Sequence, residues 1–145
     1  MKRIWLLILL IITANFANAV EKIDALAKDY VILALQLGQH DSSYVDAYMG
    51  PEEWQEQVKK QTKSLQEIID STAKLIADLE ENMSADNKMD TLRHHYLLVQ
   101  SKSLHAKTKM VSGQVKYTFD QETRLLFDTE APHYQLVEFD SVLAE

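Results

Sequence analysis

Residues 51–82 read PEEWQEQVKKQTKSLQEIIDSTAKLIADLEEN, and their apolar side chains recur at the spacing of an α-helix. Pro51 followed by Glu52 and Glu53 is typical of a helix start, because proline suits the first helical position and carboxylates favour the positive end of the helix dipole. Steps of three, four and seven residues put one set of apolar side chains on a single face. The pattern predicts one long amphipathic helix that ends near Asn82, with an apolar stripe of Trp54, Val58, Leu65, Ile68, Ile69, Ile76 and Leu79.

Helical periodicity continues on both sides of this segment. Residues 21–37 are rich in apolar side chains and predict a helix that is buried on more than one side. Residues 88–111 predict another helix, and a short turn should pair it with the preceding one as an antiparallel hairpin. A coiled-coil-like spacing predicts the packing seam of that helix, which comprises Leu92, Tyr96, Val99, Ser103, Ala106 and Met110.

Two shorter helices are predicted near the C-terminus. Thr118 and Gln121 form the pattern of a capping box, which marks a helix start. Its apolar side should be supplied by Leu125, Leu126 and Phe127, and the last helix should begin near Tyr134. The sequence therefore predicts an all-α fold, an irregular bundle of four to five helices with a long antiparallel helical hairpin.

Residues 1–19 have the pattern of a signal peptide. Lys2 and Arg3 precede the apolar run Ile4–Ile12, and the small residues around Asn18 end the segment at Ala19. The run is shorter than the roughly twenty residues that span a bilayer. We expect cleavage after Ala19, a periplasmic or secreted location and no stable membrane insertion afterwards. A retained signal anchor is the alternative.

The remaining residues, 20–145, are predicted to form a single helical domain. The whole chain has a net charge of −7, and losing Lys2 and Arg3 makes the mature chain still more acidic. An acidic protein is poorly suited to nucleic acid, so we expect no nucleic-acid partner. The chain has no cysteine, so its stability must come from a packed core rather than from disulfide bonds.

The connector Gly38–Trp54 interrupts the helical pattern with the sequence GQHDSSYVDAYMGPEEW. Loops often carry binding residues, and aromatic rings beside a carboxylate suit a half-wet groove. The candidate cleft or ligand contacts are Tyr44, Asp46, Tyr48 and Trp54. The alternative is that the aromatic rings seal the corner between two helices and that the acidic residues cap turns.

Histidines on the 88–111 helix do not predict a metal site. His94 and His95 are adjacent and therefore point about 100° apart. His94 and His105 share a face but lie roughly 16 Å apart at 1.5 Å per residue, which is too far for one metal ion. No catalytic, cofactor-binding or metal-ligating residue is predicted in this chain.

The last predicted helix continues to Glu145 without a stop signal. Acidic residues at its end oppose the helix dipole, which favours the N-terminal part of a longer protein over a frayed terminal helix. If the chain is part of a longer protein, we expect an exposed apolar strip where further helices would pack. This strip comprises Leu136, Phe139 and Leu143.

Two segments carry a family resemblance, LGQHDSSYVDAYMGPEEW at 37–54 and FDQETRLLFDTEAPHYQLVEFDSVLAE at 119–145. They resemble the N-terminal region of uncharacterised, mostly helical exported bacterial proteins that are similar to HExxH zinc metallopeptidases. The presumed zinc motif of that family lies further towards the C-terminus, and this sequence has no HExxH. The resemblance implies zinc in a full-length parent, none in this chain, and a peptide substrate or a missing C-terminal domain as partner.

Three hypotheses about function remain open at this point. The chain is the non-catalytic N-terminal scaffold of a zinc-peptidase-like hydrolase, a free-standing periplasmic helical binding module of unknown ligand, or a structural product without activity.

Overall fold

The computed structural model describes residues 22–81 and 88–143, so the predicted signal peptide lies outside the described residues. Over these ranges the chain forms six α-helices and no strand, which confirms the predicted all-α fold. In chain order the helices are α1 (22–38), α2 (Glu52–Lys60), α3 (Leu65–Glu81), α4 (Lys88–Val111), α5 (Phe119–Phe127) and α6 (Leu136–Leu143).

The core lies between α1, α3 and α4. Leucine and isoleucine side chains from all three helices form one buried cluster, which comprises Leu26, Leu33, Leu37, Ile68, Leu75, Leu79, Leu97 and Leu104. Tyr30 and Tyr44 pack against its edge. An apolar cluster of this kind is the main stabilising feature of a small domain without disulfides.

Helices α3 and α4 form the predicted antiparallel hairpin. The ring Nε2 of His94, early in α4, lies 2.7 Å from the carbonyl oxygen of Leu79, late in α3. The hydroxyl of Thr72, in the middle of α3, lies 2.9 Å from Nδ1 of His105 towards the end of α4. Residues late in one helix therefore meet residues early in the other, which confirms the hairpin.

The prediction of one continuous helix over 51–82 is wrong, because the helix is broken at residues 61–64. Ser64 starts a new helix through a reciprocal capping box. Its backbone N–H donates to the Glu67 carboxylate at 2.8 Å, and the Glu67 N–H donates back to the Ser64 hydroxyl at 3.3 Å. The capping box favours a new helix start over continuation of α2.

The predicted seam of α4 does not face the core. The buried residues of α4 are His94, Leu97, Ser101, Leu104, Ala106 and Thr108, and only Ala106 belongs to the predicted seam. Leu92 and Tyr96 are exposed, whereas Ser103 contacts α5 by donating to the Leu126 carbonyl at 3.2 Å. Helix α4 has apolar residues on two faces, and periodicity alone does not decide which face meets α3.

The end of α4 and the start of α5 are set by residues that can be recognised in the sequence. Gly113 has a φ of 75° and ends α4 in a Schellman arrangement, with its N–H donating to Met110 and that of Gln114 to Lys109. The predicted capping box of Thr118 and Gln121 is confirmed at the start of α5.

The predicted apolar side of α5 is only partly correct. Leu126 is half-buried beside α4, whereas Phe127 is 70% exposed and Leu125 is 37% exposed. Three consecutive helical residues cannot share one face, because each turns about 100° from the last. The inward position before Leu126 is taken by the buried Thr123.

Candidate functional site

The connector between α1 and α2 is fixed by hydrogen bonds from its own side chains. The Asp41 carboxylate accepts from the Ser43 hydroxyl at 2.6 Å and from the Ser43 N–H at 3.1 Å. These bonds, followed by the nearby Lys107 ammonium, hold the pKa of Asp41 below its usual value. Lys107 Nζ lies 3.3 Å from the same carboxylate and ties the connector to α4. A β-carbon at Gly38 would lie 3.3 Å from Cγ2 of Val45, so a larger residue there would require the Val45 side chain to shift slightly.

Tyr44 and Tyr48, two of the four predicted site residues, pack in different places. Tyr44 packs on the core cluster near Tyr30, and its burial raises the pKa of its phenol far above the usual value. The Tyr48 hydroxyl donates to the Pro51 carbonyl at 3.2 Å. Its ring covers Gly50 so closely that a β-carbon there would overlap it.

Trp54 and Asp46 complete the predicted set. The Trp54 ring is half-buried and has the Lys28 ammonium 5.2 Å from its centroid, a cation–π contact between α2 and α1. Asp46 is exposed. Each ring thus has a packing partner of its own, and a ligand role for Tyr44, Asp46, Tyr48 and Trp54 stays a prediction.

A separate groove of about 280 Å³ lies between α1 and α3. Its lining is Asp29, Ile32, Leu33, Lys63, Ser71, Lys74, Leu75 and Asp78, which includes none of the four predicted residues. Charged and apolar side chains share this lining, and the volume is at the lower limit of small-molecule pockets.

The histidines of α4 have packing partners. His94 is buried and lies against the Leu79 carbonyl, and His105 is half-buried beside the Thr72 hydroxyl. Burial, followed by the nearby Lys109 ammonium, lowers the pKa of His105. His95 is exposed. These contacts give His94 and His105 structural roles in joining α3 to α4.

The structure brings together one group of potential metal ligands that the sequence pattern does not predict. Asp120 in the first turn of α5 meets Glu130 and His133 from the segment after that helix, and one ligand atom of each lies within 4.8 Å of the others. Asp128 makes the meeting possible, because its left-handed conformation, with φ at 53°, ends α5 and turns the chain. The only indication of this turn in the sequence is Pro132 and the polar residues before it, which interrupt the helical pattern.

Charge and hydrogen bonding organise this group. Arg124 donates to one oxygen of Glu130 from Nη2 at 2.6 Å and from Nε at 3.2 Å. These bonds and the guanidinium charge hold the pKa of the Glu130 carboxyl below its usual value, so the carboxylate stays ionised. Nε2 of His133 lies 3.1 Å from Oδ1 of Asp120. The cluster therefore presents two carboxylates and an imidazole.

A second candidate feature is a set of exposed apolar side chains in the same part of the chain. Of the ten large hydrophobic side chains that are exposed among the described residues, six fall between residues 119 and 139. They are Phe119, Leu125, Phe127, Tyr134, Val137 and Phe139. We call this set the C-terminal apolar surface. Within the described ranges helix α6 packs against none of α2–α5, and the Tyr134 and Phe139 rings meet edge to face at 5.7 Å.

Comparison of this chain with family models, with curated proteins and with solved structures finds no significant match. The resemblance to metallopeptidase-like proteins therefore stays a prediction. Among the described helices, none has both the length and the apolar character needed to cross a membrane.

Proposed function

We propose that this protein is the exported, non-catalytic helical scaffold of a zinc-peptidase-like hydrolase. In this proposal the chain reaches the periplasm or the exterior through the signal peptide at residues 1–19. Its bundle of α1, α3 and α4 provides a stable base, and its C-terminal apolar surface binds the part of the hydrolase that carries the HExxH motif.

The observation that carries the proposal is the C-terminal apolar surface itself. Phe127 and Val137 are 70% and 69% exposed. Single exposed hydrophobic residues are ordinary, but six large ones within 21 residues of sequence, two of them in direct ring contact, support an interaction role. Phe139 of the predicted apolar strip is 48% exposed; the side chains of Leu136 and Leu143 lie outside the described residues.

Charge around this surface indicates the chemistry of the occupant. Between residues 119 and 140 six acidic residues stand against one arginine, Arg124, namely Asp120, Glu122, Asp128, Glu130, Glu138 and Asp140. A complementary partner would present an apolar helix face with basic residues at its rim. The occupant that we propose is a helical segment of the HExxH-bearing polypeptide.

Site-specific photo-crosslinking tests the proposal. A benzophenone amino acid replaces Phe127 or Val137 in the protein expressed in its own organism, and mass spectrometry identifies the cross-linked peptides. We expect peptides from a polypeptide that contains HExxH, whether that polypeptide is separate or continuous with this chain. Met49, which is 96% exposed on the connector, is the matched control position and should give no such product.

Two outcomes would overturn the proposal. The first is cross-linking from positions 127 and 137 only to polypeptides without HExxH, or equally from position 49. The second is zinc-dependent peptide hydrolysis by the purified protein alone, because the proposal makes this chain non-catalytic.

The alternative function is a free-standing binding module that uses the corner of Tyr44, Asp46, Tyr48 and Trp54. Trp54 is the only tryptophan after the predicted cleavage site, so its fluorescence reports on this corner directly. A saturable change on titration with a casein hydrolysate, abolished in Asp46→Asn, would favour the binding module. Absence of cooperative unfolding would favour a product without function.

A further inference from the structure

We propose that Asp120, Glu130 and His133 form a binding site for one zinc ion, independent of any HExxH motif. The site lies where the segment after α5 folds back onto the first turn of that helix. It goes beyond the scaffold role, because the ligands belong to this chain and need no partner.

The ligand chemistry fits zinc. Zinc accepts imidazole nitrogen and carboxylate oxygen, and sites with three protein ligands keep a further position for water. His133 and Glu130 are 65% and 50% exposed at their side chains. An ion can therefore reach His133 and Glu130 from solvent and keep a bound water, with Asp120 as the inner ligand.

The distance between His133 and Asp120 is compatible with two ligands of one ion. Two ligand atoms that bind tetrahedral zinc at about 2.1 Å lie roughly 3.4 Å apart, and their lone pairs converge on the ion rather than on each other. Nε2 and Oδ1 lie 3.1 Å apart. Nevertheless, Oδ1 is buried and has no hydrogen-bond partner among the described residues, so the imidazole nitrogen is near but not aligned with it.

The Asp120 side chain as a whole is 38% exposed, but its Oδ1 is buried, and a buried carboxylate oxygen is more stable with a well-aligned partner. A cation bound between Oδ1 of Asp120 and Nε2 of His133 would satisfy it, and Glu130 would supply the third ligand. Arg124 occupies one oxygen of Glu130 and leaves the other for the ion. A hydrogen-bonded carboxylate of this kind is the usual outer-shell arrangement of metal sites.

The sequence alone predicts no metal site because these ligands are not on one helix face. Ten residues separate Asp120 from Glu130, and the left-handed turn at Asp128 brings them together. His94 and His105, on α4, have structural partners of their own.

Zinc binding to the purified protein, prepared without a histidine tag, tests the proposal. Competition against a chromophoric chelator gives affinity and stoichiometry. We expect one zinc ion per chain, and at least about tenfold weaker binding in Asp120→Asn, Glu130→Gln and His133→Gln. His95→Gln is the matched control, because His95 is also an exposed histidine, and it should bind as the wild type does.

Chemical shifts of the imidazole protons provide a second readout that does not depend on affinity. Zinc should shift the His133 signals selectively, and magnesium at millimolar concentration should not displace it. Binding that persists within about twofold in His133→Gln, or that weakens equally in His95→Gln, would overturn the proposal. These results do not involve an HExxH polypeptide, so the zinc site and the scaffold function can fail separately.

Discussion

The side-chain carbonyl of Gln36 accepts a hydrogen bond from the backbone N–H of Lys63 at 2.7 Å. The amide group of the same side chain donates to the Gln61 carbonyl at 2.8 Å. Gln36 is only 4% exposed, so α1 supplies a buried polar clamp for the break between α2 and α3. A backbone that leaves the helix at this point needs partners for its N–H and carbonyl groups, and Gln36 provides two of them.

Replacing Gln36 by leucine should therefore destabilise the protein. The substitution keeps most of the volume but leaves the Lys63 N–H and the Gln61 carbonyl without their partner, a cost of about 1–3 kcal/mol. Urea unfolding followed by circular dichroism measures the change. Gln39→Leu is the matched control at an exposed position and should change the free energy of unfolding by less than about 0.5 kcal/mol. Equal effects in the two variants would contradict the clamp.

The capping box at the start of α3 gives a second prediction. Ser64→Ala removes the side-chain acceptor for the Glu67 N–H and should lower the free energy of unfolding by about 1 kcal/mol. Ser42→Ala, at an exposed connector position, is the control and should be neutral.

Acid dependence provides a further test of the same capping box. Hydrogen bonds from the Ser64 hydroxyl and then from its N–H hold the pKa of Glu67 below its ordinary value of 4.5. A carboxyl whose pKa is lower in the folded state than in the unfolded state contributes to stability at pH values above its unfolded-state pKa. This contribution is lost as the pH falls through the folded-state pKa. Between pH 5 and pH 3 the wild type should lose more stability than Ser64→Ala. Parallel pH profiles would mean that the bonds do not favour the ionised carboxylate.

Part of this break could be seen in the sequence, and part could not. The Ser64-x-x-Glu67 pattern is a helix-start signal, but Leu65, Ile68 and Ile69 continue the apolar period of the preceding residues, which favours one long helix. The two bonds from Gln36 span 25 and 27 residues, and no local pattern indicates such partners. The helical character of the chain and the capping box of α5 follow from local signals, and the α3–α4 hairpin follows from two amphipathic helices that are neighbours in the sequence; these were predicted correctly.

The candidate sites likewise include one feature that the sequence predicts and one that it does not. Phe139, one residue of the apolar strip predicted from the sequence, is 48% exposed. In contrast, the meeting of Asp120 with His133 depends on a left-handed Asp128, a conformation that the sequence marks with no glycine. Tertiary proximity of polar residues across a turn is set by single dihedral angles, which periodicity does not encode.

His105 gives a prediction for neutral pH. Burial lowers the pKa of its imidazole in the folded protein, with a further contribution from Lys109. The unfolded chain then binds more protons, so stability should fall as the pH drops below the ordinary histidine value of 6.5. His105→Asn keeps a polar partner for the Thr72 hydroxyl and should lose less stability than the wild type between pH 7.5 and 5. His95→Asn is the control and should retain the wild-type profile.

The end of α4 predicts a difference between alanine and asparagine at one position. Gly113 has a φ of 75° and open space where a β-carbon would stand, so substitution costs backbone strain alone. Gly113→Ala should reduce the free energy of unfolding by about 1–2 kcal/mol, and Gly113→Asn by less, since asparagine tolerates this conformation. Thermal or urea unfolding distinguishes them. An equal loss in both variants would point to packing rather than to dihedral strain.

Two neighbouring residues of α5 distinguish a side chain that packs within the fold from one that is available to bind a partner. Leu126 is half-buried at the contact with α4, and Phe127 is 70% exposed. Leu126→Ala should cost about 1–2 kcal/mol, because it removes apolar surface from a packed interface. Phe127→Ala should change the free energy of unfolding by less than about 0.5 kcal/mol while reducing binding of a hydrophobic dye to the folded protein. If Phe127→Ala is the more destabilising of the two, Phe127 packs inward, and the C-terminal apolar surface loses the residue on which its test depends.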